Sequence, residues 1–191
     1  VQSWQPGRAP GTAPFSRMVA PVRTLVTFDF HNTLATCDPW FVAEIRDLPL
    51  DVLREIDPDA AQRVGAASLR RAYRALRERV VASGREVDAL ASVTLVLNGF
   101  GMRYDADTLA ATIDRVMRRT LAHAAPVAGA IDTVRAVAHE GHVVGVVSSA
   151  VYHPFLEWTL GSFGLTPTLA FVISSASCGY YKSDPGIYRC A

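Results

Sequence analysis

Three short apolar segments alternate with helix-forming segments, and this alternation limits the possible fold more than any other feature of the chain. The apolar segments are residues 24–30, 142–148 and 169–174, which are rich in β-branched and aromatic side chains and have no regular polar face. The first two runs are typical of strands buried in a parallel sheet, and the third is also predicted to be a strand. Helical patterns over residues 129–139 and 152–163 separate the later segments. We therefore predict an α/β fold with a Rossmann-like, three-layer core and a parallel sheet.

The block between the first and second apolar segments is helical and too long for a single crossover connection. It begins at Asp38, where we predict an Asp cap followed by proline at the first helical position. Arginines recur in this block at helical spacing, and we predict that they form a solvated helix face; they are Arg70, Arg71, Arg74, Arg77 and Arg79. We therefore predict an α-helical cap lobe over residues 36–125, inserted into a core of residues 22–35 and 126–191.

Charge and hydropathy argue against two classes of partner. Nineteen Lys and Arg residues oppose eighteen Asp and Glu residues, which gives a net charge of +1. A protein that binds nucleic acid through a broad basic field carries a clear positive excess, so we expect no nucleic-acid partner. Apolar runs stay well below the roughly 20 residues that cross a bilayer, so we also expect no membrane partner.

The cysteines and the first residues bear on location. Cys37, Cys178 and Cys190 form no close pair and no metal-binding spacing. This pattern favours a reducing compartment, so we predict a cytoplasmic protein whose thiols are small core residues. Residues 1–21 are interrupted by several prolines and develop no apolar stretch, so we expect a flexible leader and not a signal peptide.

Polar side chains follow the ends of the three predicted strands. Asp29 ends the first strand, Ser148 ends the second, and Lys182, the only lysine in the chain, follows the third. In open parallel sheets, ligands bind beyond the carboxyl ends of the strands. Singly, such residues are mostly helix caps, turn formers and solvated side chains. Together they suit an anionic substrate, because a carboxylate can attack, a hydroxyl can hold an oxygen and an ammonium can neutralise charge.

Three motifs in order resemble those of the haloacid dehalogenase-like (HAD) hydrolase superfamily. The first is Asp29-Phe30-His31-Asn32-Thr33 after a strand, the second is the apolar run that ends at Ser148, and the third is Gly179-x-x-Lys182-x-Asp184-Pro185. The resemblance covers roughly residues 22 to 191. It implies the Rossmann-like core with an inserted cap, and it implies hydrolysis of a small phosphorylated substrate.

The resemblance also implies roles for individual residues. Asp29 would be the nucleophile and form an aspartyl-phosphate, and Lys182 would bridge it to the substrate anion. Ser148 would hydrogen-bond the group being transferred. Thr33 would support the loop at the substrate. Ser149 stands beside the second motif, where both a substrate contact and a simple turn residue are open interpretations.

A magnesium ion is the cofactor that the resemblance implies. In the family, Mg²⁺ is typically bound by the first carboxylate, here Asp29, by the backbone carbonyl two residues later, here that of His31, and by a downstream acid. Magnesium prefers oxygen ligands and keeps several waters, which suits a site with few protein ligands. Its charge would offset the repulsion between Asp29 and a phosphate.

His31 departs from the family pattern, because the phosphatases carry an aspartate at this position as general acid and base. A positioned general acid is worth roughly 10²–10⁴ in rate, and histidine is able to exchange protons near neutral pH. Three interpretations stay open: a phosphatase that uses His31, a catalytically weak or inactive HAD-fold binding or scaffold protein, and a metal-independent hydrolase similar to the dehalogenases, which carry tyrosine here.

The fourth family motif, a further acid after another strand, is not found before Ala191. Without that strand, one side of the first strand would present unpaired N–H and C=O groups. We expect that the natural protein continues, that this is a truncated product, or that a protein partner covers the edge.

Overall fold

The computed structural model describes residues 24–191, and five strands lie within them. In chain order they are β1 (Leu25–Phe28), β2 (Ala35–Thr36), β3 (Ala125–Pro126), β4 (Val143–Ser148) and β5 (Phe171–Ser174). Strands β1, β4 and β5 form a parallel sheet in the order β1-β4-β5, with Phe28 opposite Val146 and Ser148 opposite Ser174. The predicted parallel α/β core is therefore confirmed. The predicted leader, residues 1–21, lies outside the described residues.

The prediction that the first two strands are both buried is wrong for β1. Residues 144–148 of β4 are buried, whereas the residues of β1 alternate between exposed and half-buried, and Leu25 is 49% exposed. Within residues 24–191, β1 pairs with β4 alone, so one of its edges has no neighbouring strand. β1 and β4 are similar in residue types. How much of each strand is covered depends on the position of the strand in the sheet and not on its residue types.

Helices make up most of the rest of the described chain. They are α1 (Asp38–Val42), a π-helical segment (Ala43–Asp47), α2 (Leu48–Ile56), α3 (Pro58–Val64), α4 (Ala66–Ser83), α5 (Ala89–Gly99), α6 (Ala106–Leu121), α7 (Ala130–His139), α8 (His153–Ser162), α9 (Ser175–Cys178) and α10 (Gly186–Arg189). Helices α1 to α6 all fall between β2 and β3, and these two short strands pair in antiparallel fashion. The helical insert therefore leaves and re-enters the core at one point.

Two local predictions about the insert are wrong. Asp38 is not a cap: Cys37 occupies the N-cap position of α1, and Asp38 lies in its first turn, where its charge suits the helix dipole. The arginine stripe is not uniformly solvated either. The side chain of Arg77 is only 11% exposed and is paired with Glu86. A buried arginine needs a carboxylate partner, and helical periodicity does not reveal one.

Aromatic packing joins the insert to the core. Trp40 of α1 stacks on Phe155 of α8 with ring centroids 4.9 Å apart, and Phe30 contacts Trp40 edge-on at 5.5 Å. All three side chains are buried. Each such pair contributes about 0.5–1.5 kcal/mol beyond the area it buries. These contacts hold α1 over the turn that follows β1.

The cysteines divide by environment: Cys37 is buried, Cys178 is half-buried and Cys190 is exposed. The prediction of core thiols therefore holds for Cys37 alone. In the described part of the chain, every helix is too short or too polar to cross a membrane.

Candidate functional site

Asp29 and Lys182 meet at the carboxyl end of the sheet. The Nζ atom of Lys182 lies 2.5 Å from Oδ1 of Asp29, and the two side chains are 26% and 45% exposed. The backbone N–H of Phe30 donates to the same carboxylate oxygen at 2.8 Å. The structure thus brings together two residues that are 153 positions apart. Both side chains are thus partly open to solvent.

The turn after β1 holds Asp29 in place through its own backbone. The carbonyl of Phe30 accepts hydrogen bonds from the N–H groups of Thr33, Leu34 and Ala35 at 3.3, 2.9 and 3.0 Å. Asn32 adopts a left-handed conformation with φ of 59°, which asparagine tolerates better than most residues. The side chain of Thr33 is exposed on this turn, and its predicted role in the substrate loop stays a prediction.

Ser148 and Ser149 occupy the end of β4 and have different surroundings. Ser148 is buried and lies on the strand next to β1. Ser149 Oγ accepts a hydrogen bond from the backbone N–H of Lys182 at 3.1 Å. In this structure Ser149 therefore bonds the loop that carries Lys182, and its predicted contact with a substrate stays a prediction. The predicted role of Ser148 at the transferring group stays a prediction.

The loop that carries Lys182 is also bonded to the insert. The Glu86 N–H donates to the carbonyl of Gly179 at 3.0 Å, and the Tyr181 N–H donates to the carbonyl of Gly84 at 2.9 Å. The approach is close at Gly84, where a Cβ atom would lie 2.7 Å from Cβ of Asp184 and where φ is +69°. Only glycine, which has no Cβ, fits both the close approach of Asp184 and the positive φ without strain. We call this contact between residues 84–86 and 179–184 the seam.

His31 lies against the insert and not free in solvent. Its ring stacks on Phe41 with centroids 4.3 Å apart and contacts Trp40 at 5.4 Å. Burial lowers the pKa of His31, although the charges of Asp29 and Asp38 act in the opposite direction. At neutral pH the ring is therefore a neutral imidazole, which accepts a proton more readily than it donates one. Its predicted role as acid and base stays a prediction.

A cavity of about 140 Å³ lies between the insert and the site. Aromatic side chains of Trp40, Phe41 and Tyr181 line it, and His31 and Ser149 connect it to the residues around Asp29 and Lys182. Its remaining lining comes from Glu44, Ile45, Arg77 and Val81. The insert thus supplies most of the wall of a small, largely apolar chamber beside the candidate nucleophile.

Buried charged residues behind this cavity were not identified from the sequence. Glu44 is 4% exposed and accepts a hydrogen bond from the Val151 N–H at 2.5 Å. Arg77 donates to Glu86 at 2.6 Å, and the Ser175 hydroxyl also donates to Glu86. The one available hint was a single acid inside the apolar run of residues 40–45.

Desolvation dominates the electrostatics of Glu44. Burial raises its pKa to about 8, against the opposing effects of nearby Arg77 and of the Val151 N–H. Glu86 adds to the increase through like charge. The carboxyl of Glu44 is therefore mostly protonated and uncharged at pH 7.

The two residues that the resemblance links to magnesium both carry oxygen donors. The Asp29 carboxylate and the His31 backbone carbonyl supply oxygen atoms, which are the ligands that Mg²⁺ prefers. Across residues 24–191, His, Cys, Asp and Glu do not gather into a group of three or more that could hold a metal. The oxygen chemistry of the two donors at Asp29 and His31 fits Mg²⁺.

Comparisons with known proteins bear on the fold. No protein-family model matches the sequence, and no curated protein matches it. Solved structures do. The L-2-haloacid dehalogenase of Xanthobacter autotrophicus is 19% identical with a TM-score of 0.48, and the match covers 88% of this chain and 63% of that one. The present chain therefore spans less than two thirds of that enzyme's length.

Two other structures superpose somewhat better. A predicted phosphoglycolate phosphatase of Haemophilus somnus has a TM-score of 0.53 at 14% identity, with 88% of this chain and 69% of that chain covered. The HAD-hydrolase YfnB of Bacillus subtilis, bound to magnesium, has a TM-score of 0.51 at 19% identity, with 88% and 71% covered. The described residues therefore have the fold of the haloacid dehalogenase-like hydrolase superfamily, a parallel Rossmann-like core with an inserted helical lobe.

Proposed function

We propose that the chain hydrolyses phosphomonoesters through a covalent intermediate on Asp29. The observation that carries the proposal is the contact between Asp29 and Lys182 at the carboxyl end of the sheet, 2.5 Å from Oδ1 to Nζ. An exposed carboxylate beside a single ammonium suits nucleophilic attack on an anion, because the cation reduces the repulsion that the attacking oxygen meets. The same fold occurs in proteins described as phosphatases.

The proposed reaction has two steps. A carboxylate oxygen of Asp29 attacks phosphorus, the bond from phosphorus to the ester oxygen breaks, and the leaving alkoxide takes a proton from solvent water. A water molecule then attacks the phosphorus of the aspartyl-phosphate, which releases inorganic phosphate and restores Asp29. Lys182 neutralises phosphoryl charge in both steps, and the hydroxyl of Ser148 hydrogen-bonds a phosphoryl oxygen. His31, as a neutral imidazole, accepts the proton of the attacking water and releases it to solvent before the next turnover.

Magnesium is part of this proposal. When bound, Mg²⁺ would be held by the Asp29 carboxylate and the His31 backbone carbonyl, and it would offset charge repulsion during attack. A structure of the same fold is bound to magnesium. Orientation of the carboxylate itself comes from this chain, through the Phe30 N–H and Lys182.

Trapping the intermediate tests the proposal directly. With beryllium fluoride and Mg²⁺, mass spectrometry and ¹⁹F NMR are expected to show one adduct on Asp29 that is lost in Asp29→Asn. Asp38→Asn, an exposed acid in the next helix, is the matched control and should retain the adduct. Absence of an adduct together with absence of phosphoester turnover would favour an inactive HAD-fold binding protein instead.

Residue 31 favours a second candidate function. A halide leaves a carbon atom without needing a proton. A site that has histidine at position 31, in place of a carboxylic acid, therefore suits a dehalogenase-like hydrolase that needs no metal. In that reaction Asp29 would attack carbon and displace halide, and water would hydrolyse the resulting ester. Turnover of 2-chloropropionate that persists in EDTA would support this candidate, whereas turnover of phosphoesters that EDTA abolishes would support the first.

A further inference from the structure

Glu44 has hydrogen-bonding capacity that the described protein does not use. One carboxylate oxygen accepts from the Val151 N–H, and the other, Oε2, is buried and has no hydrogen-bond partner among residues 24–191. Unsatisfied buried polar atoms are uncommon, because burial removes the water that would otherwise pair with them. Glu44 lies in the π-helical segment Ala43–Asp47, a distortion that is frequent at functional sites.

Neighbouring groups leave Glu44 free of an ion pair. The guanidinium of Arg77 donates to both carboxylate oxygens of Glu86 at 2.6 and 3.2 Å and to the Val87 carbonyl at 3.3 Å. The hydroxyl of Tyr73 donates to the backbone carbonyl of Glu44 and not to its carboxyl. The charges of Arg77 and Glu86 therefore cancel each other.

A protonated Glu44 leaves this group of side chains without net charge. Because burial raises the pKa of Glu44 to about 8, its carboxyl is a hydrogen-bond donor at pH 7. A neutral group that can accept a hydrogen bond complements such a site, whereas an ionic group would be desolvated without a counter-charge.

The cavity beside Glu44 has the size and position of a subsite. At the volume that a water molecule occupies in the liquid, 140 Å³ holds about five non-hydrogen atoms. Its lining includes His31, two residues after Asp29, and Ser149, which bonds the Lys182 backbone. A group in the cavity would thus lie beside a phosphoryl group at Asp29.

We propose that this cavity binds the alcohol portion of the substrate, that this portion is a small uncharged alkyl group carrying a hydroxyl, and that Glu44 is the residue that selects for the hydroxyl. The inference rests on the proposed phosphoesterase function and adds the substrate class. The aromatic walls exclude water from the alkyl carbons, and Glu44 donates to the hydroxyl oxygen.

A matched pair of esters tests whether Glu44 selects for the substrate hydroxyl. The monophosphate of 1,3-propanediol and propyl phosphate differ by one hydroxyl, and kcat/KM of the unmodified chain is expected to favour the first by about 10- to 100-fold. In Glu44→Leu the preference should fall to within about threefold, while Glu44→Gln, which keeps a donor, should retain most of it. Glu78→Gln, at an exposed position of α4, is the control. A preference that is absent initially, or that survives Glu44→Leu, overturns the inference.

Filling the cavity provides a variant that does not touch the carboxyl. Val81 lines the cavity and is half-exposed on α4, so phenylalanine at this position should narrow the chamber without unfolding the chain. Val81→Phe is expected to lower kcat/KM for the propanediol ester at least tenfold and to spare methyl phosphate. Equal loss for both esters would contradict the proposed subsite.

Failure of the proposed function is distinguishable from failure of this inference. The beryllium fluoride adduct on Asp29 reports the function in every variant. Binding of free 1,3-propanediol to the full chain, followed by saturation-transfer NMR, reports the cavity without turnover. Binding that is lost in Glu44→Leu and kept in Glu44→Gln supports the subsite even without an adduct, whereas binding that ignores Glu44 overturns it.

Discussion

The two residues of the candidate catalytic pair are held in different ways. Asp29 follows a strand with one uncovered edge among residues 24–191, and its turn is fixed by hydrogen bonds to the Phe30 carbonyl. Lys182 lies on a loop that is bonded to β4 through Ser149 and to the insert through the seam. One side of the pair is therefore supported locally, and the other is supported by the helical insert.

Because of this difference, we expect the insert to support the loop that carries Lys182 as well as to line the cavity beside Asp29. Displacement of the insert would pull on the loop that carries the lysine, while the turn that carries Asp29 would keep its own hydrogen bonds. We therefore expect damage to the seam to affect the position of Lys182 first. Variants at Lys182, Arg77 and Gly84 separate the two supports.

The largest expected effect is on turnover and comes from Lys182→Met, which removes the ammonium and keeps the length of the side chain. Loss of one charge-stabilising group at a reacting anion typically lowers kcat by about 10²–10³. The Asp29–Lys182 pair is partly exposed, so the free energy of unfolding should change by less than about 1 kcal/mol. Steady-state kinetics and thermal melts measure the two quantities. A large loss of stability with normal kcat would show a structural lysine instead.

Removing the buried cation behind the seam should be the most destabilising change. Arg77→Met leaves Glu86 buried without its partner, and breaking such a pair costs about 3–5 kcal/mol. Arg54→Met removes an exposed arginine whose partner Asp51 lies 3.6 Å away, so it should cost less than about 1 kcal/mol. Urea denaturation of the two variants gives the comparison. Equal losses would mean that the Arg77 pair contributes no more than a surface pair.

A substitution that crowds the seam should have an intermediate effect on the free energy of unfolding. In Gly84→Ala the new methyl group meets Asp184 at 2.7 Å while φ is +69°, so we expect a loss of about 2–3 kcal/mol and a reduced kcat. Gly101→Ala has a similar φ of +76° with no atom within 4 Å, so it should cost only about 1 kcal/mol and leave kcat unchanged. The difference between the two variants measures the seam. If kcat is unaffected in both, the lysine does not depend on the seam.

The most gradual effect is a dependence of stability on pH, which is small for each pH unit. The pKa of Glu44 rises from an ordinary 4.5 to about 8 on folding, so between these values the folded state binds a proton that the unfolded state has lost. Stability should consequently fall as pH rises through this window, by at most about 1.4 kcal/mol per unit, and level off above it. Melting temperatures from pH 4.5 to 8.5 should show this slope in the unmodified chain and less of it in Glu44→Gln. If the melting temperatures of the unmodified chain and of Glu44→Gln change with pH to the same extent, Glu44 is not a buried neutral carboxyl.

Features encoded in consecutive residues were predictable from the sequence. The apolar runs before Asp29 and Ser148 locate strand ends, and parallel strands bring their ends to one edge of the sheet. Helical periodicity likewise predicts an insert, and the structure places α1 to α6 between β2 and β3. The roles of the site residues stay predictions from resemblance.

Features that depend on distant partners were not predictable. Arg77 belongs by periodicity to a solvated stripe, and its burial follows from Glu86 and from the packing of α4. The exposure of β1 depends on which strands flank it, a property of sheet order that its own residues do not encode. Glu44 becomes a neutral acid only because the folded chain removes its water.

The ribbon of β2 and β3 has a consequence for engineering. Ala35 pairs with Pro126, and Thr36 pairs with Ala125, so the two points where the chain leaves and rejoins the core are neighbours across a single ladder. Antiparallel partners lie about 5 Å apart. The chain therefore leaves and rejoins the core at one place. Replacing α1 to α6 with another helical segment would not change the order of the strands in the sheet.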